Sequence, residues 1–255
     1  MRDGEAFGPQ TLPISFVVPA YNEERLLPAT LTAIRAELCR EGCRAEIIVV
    51  NNASTDDTAA IARSFNGVRV VDEPVKSLAR ARQAGFTAAA GRLIANIDAD
   101  TVLPEGWLER VLAEFEANPR LVALSGPYVY SGISRTGAFA VHGFYVIGYG
   151  FYILNRFVFR VGSMLQGGNF VVSREALARI GGFSRDFAFY GEDTDVACRL
   201  AAVGDVKFTF RQWAHSSGRR LAKEGIVRMG LRYALNFMWT TFLRRPFTQT
   251  SRDIR

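Results

Sequence analysis

Ile14-Ser-Phe-Val-Val-Pro-Ala-Tyr-Asn-Glu-Glu24 opens the regular part of the chain, and its reading decides the fold class. Residues 14–18 are a short apolar, β-branched run that stops at Pro19, as a buried strand does. Directly beyond it, residues 23–40 carry helical spacing, with Leu27, Leu31, Ile34 and Leu38 on one stripe. The same alternation recurs: strands are expected at 46–50, 68–71, 93–97 and 122–125, with helices at 55–65, 77–90 and 104–117. Asp56 and Asp57 are expected in the first turn of the second helix, where the macrodipole favours acids. Strands that alternate with helices predict an α/β fold with a mostly parallel central sheet covered on both faces.

Ligands of such sheets bind beyond the carboxyl ends of the strands. Those positions hold Tyr21-Asn22-Glu23, Asn51-Asn52 and Asp98-Ala99-Asp100, so one crevice is expected to collect all three clusters. Asp98 and Asp100 end a strand, where two carboxylates can share a hard cation; acids there are also common in turns. Mn²⁺ or Mg²⁺ suits the pair, since both take oxygen ligands and keep waters and substrate phosphates. Gly191-Glu192-Asp193 lies between an aromatic loop at 187–190 and a helix expected at 194–202. Asp193 reads either as a helix cap or as a general base. Gln166-Gly167-Gly168-Asn169 lets backbone approach a ligand closely, or forms an ordinary turn into the strand at Phe170. His215 lies beyond a strand at 206–210, as a structural histidine or as a further metal ligand.

The chain has 255 residues, 49% hydrophobic and 22% charged, which suits one large globular domain. Its net charge of +6 sits at one end. From Arg211 to Arg255 there are ten Lys or Arg against Glu224 and Asp253. That tail fits an anionic partner or a solvated helix. Two apolar stretches, 137–154 and 229–243, stand out; the first is expected to be buried or interfacial, and the second to lie on a membrane surface or pack on the core. Cys39, Cys43 and Cys198 make no disulfide pattern and fit a reducing compartment, and residues 1–10 carry no signal-peptide pattern. No GxGxxG stands after the first strand, which argues against a dinucleotide-binding dehydrogenase, and no nucleic-acid-reading motif accompanies the basic tail.

The motifs Val17-Val-Pro-Ala-Tyr-Asn-Glu-Glu24, Val49-Val-Asn-Asn-Ala-Ser-Thr-Asp56, Asn96-Ile-Asp-Ala-Asp100, Gln166-Gly-Gly-Asn169 and Gly191-Glu-Asp193 stand in a characteristic order. In them the chain resembles the family 2 glycosyltransferases of GT-A fold, over roughly residues 13–215. The resemblance implies a Rossmann-like nucleotide-binding half at about 13–126, an acceptor half at about 127–218, and a basic, aromatic helical extension at 219–255. It implies that Pro19, Ala20, Tyr21 and Glu23 line the nucleoside pocket with Asn51 or Asn52, and that Arg82 contacts base or diphosphate. Asp98, with Ala99 beside it, would meet ribose or a metal-bound water, and Asp100 would bind Mn²⁺ or Mg²⁺ with His215 as a third ligand. Asp193 would be the catalytic base of an inverting displacement, while Gly167, Gly168, Asn169 and Glu192 would form the donor-sugar and acceptor loop. The donor would be a nucleotide sugar, UDP-linked for preference with GDP- and dTDP-sugars as alternatives.

The implied acceptor is a hydroxyl, on a lipid-linked saccharide or glycolipid at the cytoplasmic membrane face, with peripheral membrane contact through the C-terminus. Polyprenyl phosphate is the alternative acceptor. A non-catalytic nucleotide-sugar-binding or scaffold protein is the alternative of another class. Two departures bear on specificity. Asn51 and Asn52 stand where many members carry Asp, and the QxxRW signature of processive synthases is absent, which favours transfer of a single sugar.

Overall fold

The computed structural model describes residues 12–159, 164–184, 186–187, 190–243, 245 and 247–248. The signal-peptide reading at residues 1–10, positions 188 and 189 of the aromatic loop, and Arg244, Arg252 and Arg255 of the basic tail lie outside them.

A seven-stranded sheet runs in the order β3-β2-β1-β4-β8-β6-β9. Its first four strands, β1 (Ile14–Ala20), β2 (Ala45–Asn52), β3 (Val68–Glu73) and β4 (Leu93–Ile97), are parallel. Strand β8 (Asn169–Ser173) lies antiparallel between β4 and β6 (Leu121–Ser125), and β9 (Asp205–Phe208) extends the edge parallel to β6. A three-stranded sheet, β5 (Thr101–Val102), β10 (Ala214–Ser217) and β7 (Tyr128–Ser131), stands beside the carboxyl end of β4.

The pleat explains why β1 is apolar on both faces. Ile14, Phe16 and Val18 face one core, with Leu27, Leu31 and Ile34 of α1 (Leu27–Glu41) and with Trp107, Leu108 and Val111 of α4 (Trp107–Ala117). Val17 turns to the opposite core, with Ala81 of α3 (Leu78–Ala88), Leu177 of α6 (Arg174–Arg179) and Val196 of α7 (Glu192–Leu200). A strand covered on both sides cannot alternate polar with apolar. Helix α2 (Thr58–Ser64) begins later than expected, so Asp56 and Asp57 precede it; Asp56 Oδ1 still accepts from the Thr58 N–H at 3.0 Å, as a cap would.

The two apolar stretches form α5 (Arg135–Ile153), which continues as a π-turn over Leu154–Phe159, and α9 (Ile226–Leu243). Of the two expectations for residues 137–154, buried or interfacial, the first does not hold for α5. Among its described residues only Gly137 and Tyr152 are buried, while Phe139 is 81% and Ile147 61% exposed. Helix α9 packs against α5 and α7 through a side containing Met229, Asn236, Thr240 and Thr241, and leaves Val227, Leu231, Leu235 and Phe242 open. Residues 135–156 are also long and apolar enough to cross a membrane by length and composition.

Candidate active site

Asp98 stands just beyond β4, in a turn closed by the Thr101 N–H on its carbonyl at 3.0 Å. The Asp98 backbone N–H donates to the Gly168 carbonyl at 3.1 Å, which brings the glycine loop against the acid. Gly168 has φ +78°, and a Cβ there would lie 2.0 Å from Asp98 Cγ. Only glycine meets both demands. Gly168→Ala is therefore expected to cost at least about 2 kcal/mol by denaturant unfolding, and to displace Asp98. Unaltered stability would show that the loop yields.

Arg82 of α3 is fully buried behind this turn. Its guanidinium contacts Glu192 Oε1, lies 3.2 Å from Asp98 Oδ1, and faces the Phe170 ring at 5.3 Å. One cation thus serves Glu192 and Asp98 directly and acts on Asp193 through space. It cannot neutralise all three. Burial, reinforced by Asp193 and Asp98, pushes the Glu192 carboxyl up to about 8 despite Arg82. Burial likewise raises Asp193, opposed by Arg82 and by the N–H groups of Thr194 and Gly167. Those groups also aim it: Oδ1 accepts from the Thr194 N–H at 2.8 Å and Oδ2 from the Gly167 N–H at 3.0 Å.

Gly191, with φ +83°, starts α7 where a Cβ would lie 2.4 Å from Thr240 Oγ1, so α9 abuts the acidic turn. The Tyr128 hydroxyl lies 3.0 Å from the Gly167 carbonyl and 3.4 Å from Asp98 Oδ2. Burial, then Asp98, raises its proton affinity, so it stays a neutral donor. Across the cleft, Arg219 at the start of α8 (Arg219–Glu224) contacts Glu23 Oε1 and lies 3.4 Å from Asp100 Oδ2. The resulting cleft, about 180 Å³, is lined by Pro19, Glu23, Arg82, Asp98, Ala99, Asp100, Gly167, Glu192 and Asp193, all singled out from sequence.

A sequence model of the family described as glycosyl transferase family 2 matches residues 15–181, well over half the chain, and spans the three acidic and asparagine-rich strand ends together with the glycine loop. The chain belongs to glycosyl transferase family 2. A second model, described as the N-terminal domain of galactosyltransferase, matches residues 158–218.

Among curated relatives, an uncharacterized glycosyltransferase of Mycobacterium tuberculosis is 42% identical over 109 residues, 43% of this chain and 46% of that protein. A dodecaprenyl-phosphate galacturonate synthase of Rhizobium johnstonii is 36% identical over 97 residues, 36% of this chain and 29% of that protein. The chain thus aligns with less than half the length of these relatives. A mannosyltransferase of Pyrobaculum calidifontis in complex with GDP-Man and Mn²⁺ shares the fold at a TM-score of 0.68 and 21% identity, covering 92% of this chain and 65% of that one.

In this family 2 glycosyltransferase several residues assigned from sequence carry internal contacts. Asn52 is spent on holding a loop: its Nδ2 donates to the Val75 carbonyl at 2.8 Å and its Oδ1 accepts from the Ser77 N–H at 2.9 Å. Asn51 is similarly engaged, with Asp72 at 2.8 Å and the Ser54 N–H at 3.2 Å. Ala20 is buried at the end of β1, outside the cleft lining, and Tyr21 lies under the Lys76 ammonium at 3.7 Å. Asn169 is fully buried and joins Trp107 Nε1 to the Gly126 and Gln212 carbonyls, so it braces the site from within. Arg82 lies at the back of the cleft with its guanidinium buried and engaged by Glu192 and Asp98.

His215 is also not brought to Asp98 and Asp100. It is exposed on β10, edge-on to Trp213 at 4.9 Å, while Ser216 and Ser217 further along the strand line the cleft. Among the described residues no group of three His, Cys, Asp or Glu side chains is placed to hold a metal ion by itself. Asp98 and Asp100 nevertheless fit a hard cation that draws its remaining ligands from phosphate and water, and the Arg219 guanidinium at Asp100 shows that this position holds positive charge.

Sequence reasoning missed Tyr128, Tyr130, Tyr190, Tyr233, Arg219 and Arg220. The tyrosines at 128 and 130 come directly after a strand, which was the available signal; Tyr190, Tyr233 and the arginines reach the cleft only through tertiary packing.

Proposed function

We propose that this family 2 glycosyltransferase moves a single sugar from a nucleotide sugar, UDP-linked for preference, to a hydroxyl acceptor with inversion at the sugar carbon. The observation that carries the reading is the meeting of Asp98, Asp100 and Asp193 in one cleft lined by tyrosines. Mn²⁺ or Mg²⁺ held at Asp98 and Asp100 would neutralise charge on the diphosphate leaving group. Asp193 faces the same space and takes the acceptor's hydroxyl proton; desolvation raises its affinity for that proton above an ordinary aspartate's. Tyr128, with its phenol beside Asp98 and Gly167, holds the donor-side acid in place. Inversion results if the acceptor oxygen, freed of its proton, attacks opposite the departing diphosphate.

The exposed apolar sides of α5 and α9, with Arg228 exposed on α9, support peripheral contact with a membrane and an acceptor that is lipid-linked or a glycolipid. A polyprenyl-phosphate acceptor is the second reading, favoured by Arg219 and Arg220 at the cleft and by the R. johnstonii relative.

A donor screen tests the first reading. Purified protein with Mn²⁺ or Mg²⁺ is expected to be stabilised by one class of UDP-, GDP- or dTDP-sugar, by about 2–3 kcal/mol at a hundredfold excess over Kd, with slow nucleotide release. Asp100→Ala should abolish the stabilisation. No thermal shift with any donor, metal present, would favour a binding or scaffold protein.

A further inference from the structure

Arg219 comes from the last sixth of the chain, yet it cross-links two strand ends of the nucleotide half: Glu23 beyond β1 and Asp100 beyond β4. Glu23 is 3% exposed, so its charge is compensated from within the protein. The Asp100 contact is longer, at 3.4 Å, and the Arg219 side chain keeps 27% of its surface open to the cleft. Arg219 is therefore anchored at one carboxylate and loosely held at the other.

Arg82 and Arg220, which also line the cleft, are differently placed. Arg82 is sealed behind Glu192 and Asp98, and Arg220 lies 3.4 Å from the Tyr190 hydroxyl and 3.8 Å from Glu224. Arg219 is thus the guanidinium at the acidic pair that combines cleft exposure with a weak contact.

We propose that Arg219 is the diphosphate-binding residue of this enzyme, and that it is held in reserve on Asp100 until a divalent cation takes that carboxylate. The inference rests on the nucleotide-sugar reading above. Two cations compete for one carboxylate oxygen, so Arg219 leaves Asp100 as the metal site fills, while its stem stays at the cleft wall. A guanidinium then offers two parallel N–H groups to phosphate oxygens, which an ammonium cannot reproduce. The arrangement makes metal and diphosphate bind cooperatively, because the group displaced by the first is received by the second.

The consequence is a pair of effects of opposite sign. In Arg219→Gln, Mn²⁺ alone, tracked by the electron-paramagnetic signal of free Mn²⁺, should bind about fivefold more tightly, since a competing cation is gone. The same variant at saturating Mn²⁺ should bind UDP or GDP roughly ten- to a hundredfold more weakly. Arg219→Lys should leave Mn²⁺ affinity near wild type and weaken diphosphate binding, and it serves if the glutamine variant does not fold. Mn²⁺ binding that is unchanged or weaker in Arg219→Gln, or diphosphate affinity equal to wild type in both variants, would overturn the assignment. If wild type itself binds neither UDP nor GDP with Mn²⁺ present, the nucleotide-sugar reading fails and takes this inference with it.

Discussion

Asp193→Asn is expected to lower the transfer rate by roughly 10²- to 10⁴-fold while nucleotide-sugar binding stays within a few-fold of wild type. Asparagine keeps the size of the side chain and can still accept from the Thr194 N–H, so the start of α7 should survive. It cannot take a proton from a hydroxyl. Its amide NH2 then faces the Gly167 N–H, donor against donor, so that one hydrogen bond is lost. A donor-binding isotherm beside single-turnover transfer separates the two effects.

The pH profile supplies a second readout. Burial holds the Asp193 carboxyl above its ordinary value of 3.8, so activity should rise with pH through a limb displaced upward from that value, and the limb should vanish in the variant. A loss of only a few-fold would instead point to an acceptor that arrives as an anion, which is the polyprenyl-phosphate reading. The two acceptor classes are thus separated by one substitution.

How much of the site was legible in the sequence depends on how local each feature is. The acids at 98 and 100 were readable because a strand and its end are defined within eight residues, and in a parallel sheet every such end reaches the same edge. Asp193 was readable for the same reason, at a glycine-marked helix start. Asn52 and Asn169 look alike in sequence to ligand-binding amides. Their fate depends on carbonyls at Val75, Gly126 and Gln212, which no nearby pattern announces.

His215 shows a different difficulty. It lies on the strand that reaches the cleft, but only Ser216 and Ser217, at the end of that strand, line it, and no sequence pattern marks how far along β10 the cleft begins. Helix α5 was expected to be buried or interfacial because it is apolar, and Phe139, Val146, Ile147 and Phe151 remain exposed. Arg219 was counted among the charges of the tail; its role at Glu23 and Asp100 appears only when α8 is docked against the ends of β1 and β4.

Arg82→Leu should be the most destabilising single change at the site. Leucine fills part of the volume, but it leaves Glu192 and Asp98 without their shared cation, and breaking a buried pair from one side costs about 3–5 kcal/mol. Urea unfolding above pH 8, where wild-type Glu192 is ionised, measures it. The pH dependence of that loss identifies its cause. The Glu192 carboxyl is raised from 4.5 to about 8, so the folded protein holds a proton that the unfolded chain releases. Its contribution to stability is therefore present below about pH 4.5 and declines as pH rises toward 8. With Arg82 gone the carboxyl moves higher still, so the variant should go on losing stability above pH 8, where wild type levels off, and both should regain it in mild acid. Arg82→Lys restores a charge without the fork that spans two carboxylates, and should fall between. If the leucine variant matched wild type at pH 8, the cluster would be held by packing, and the placement of Asp98 and Asp193 would need another cause than this buried guanidinium.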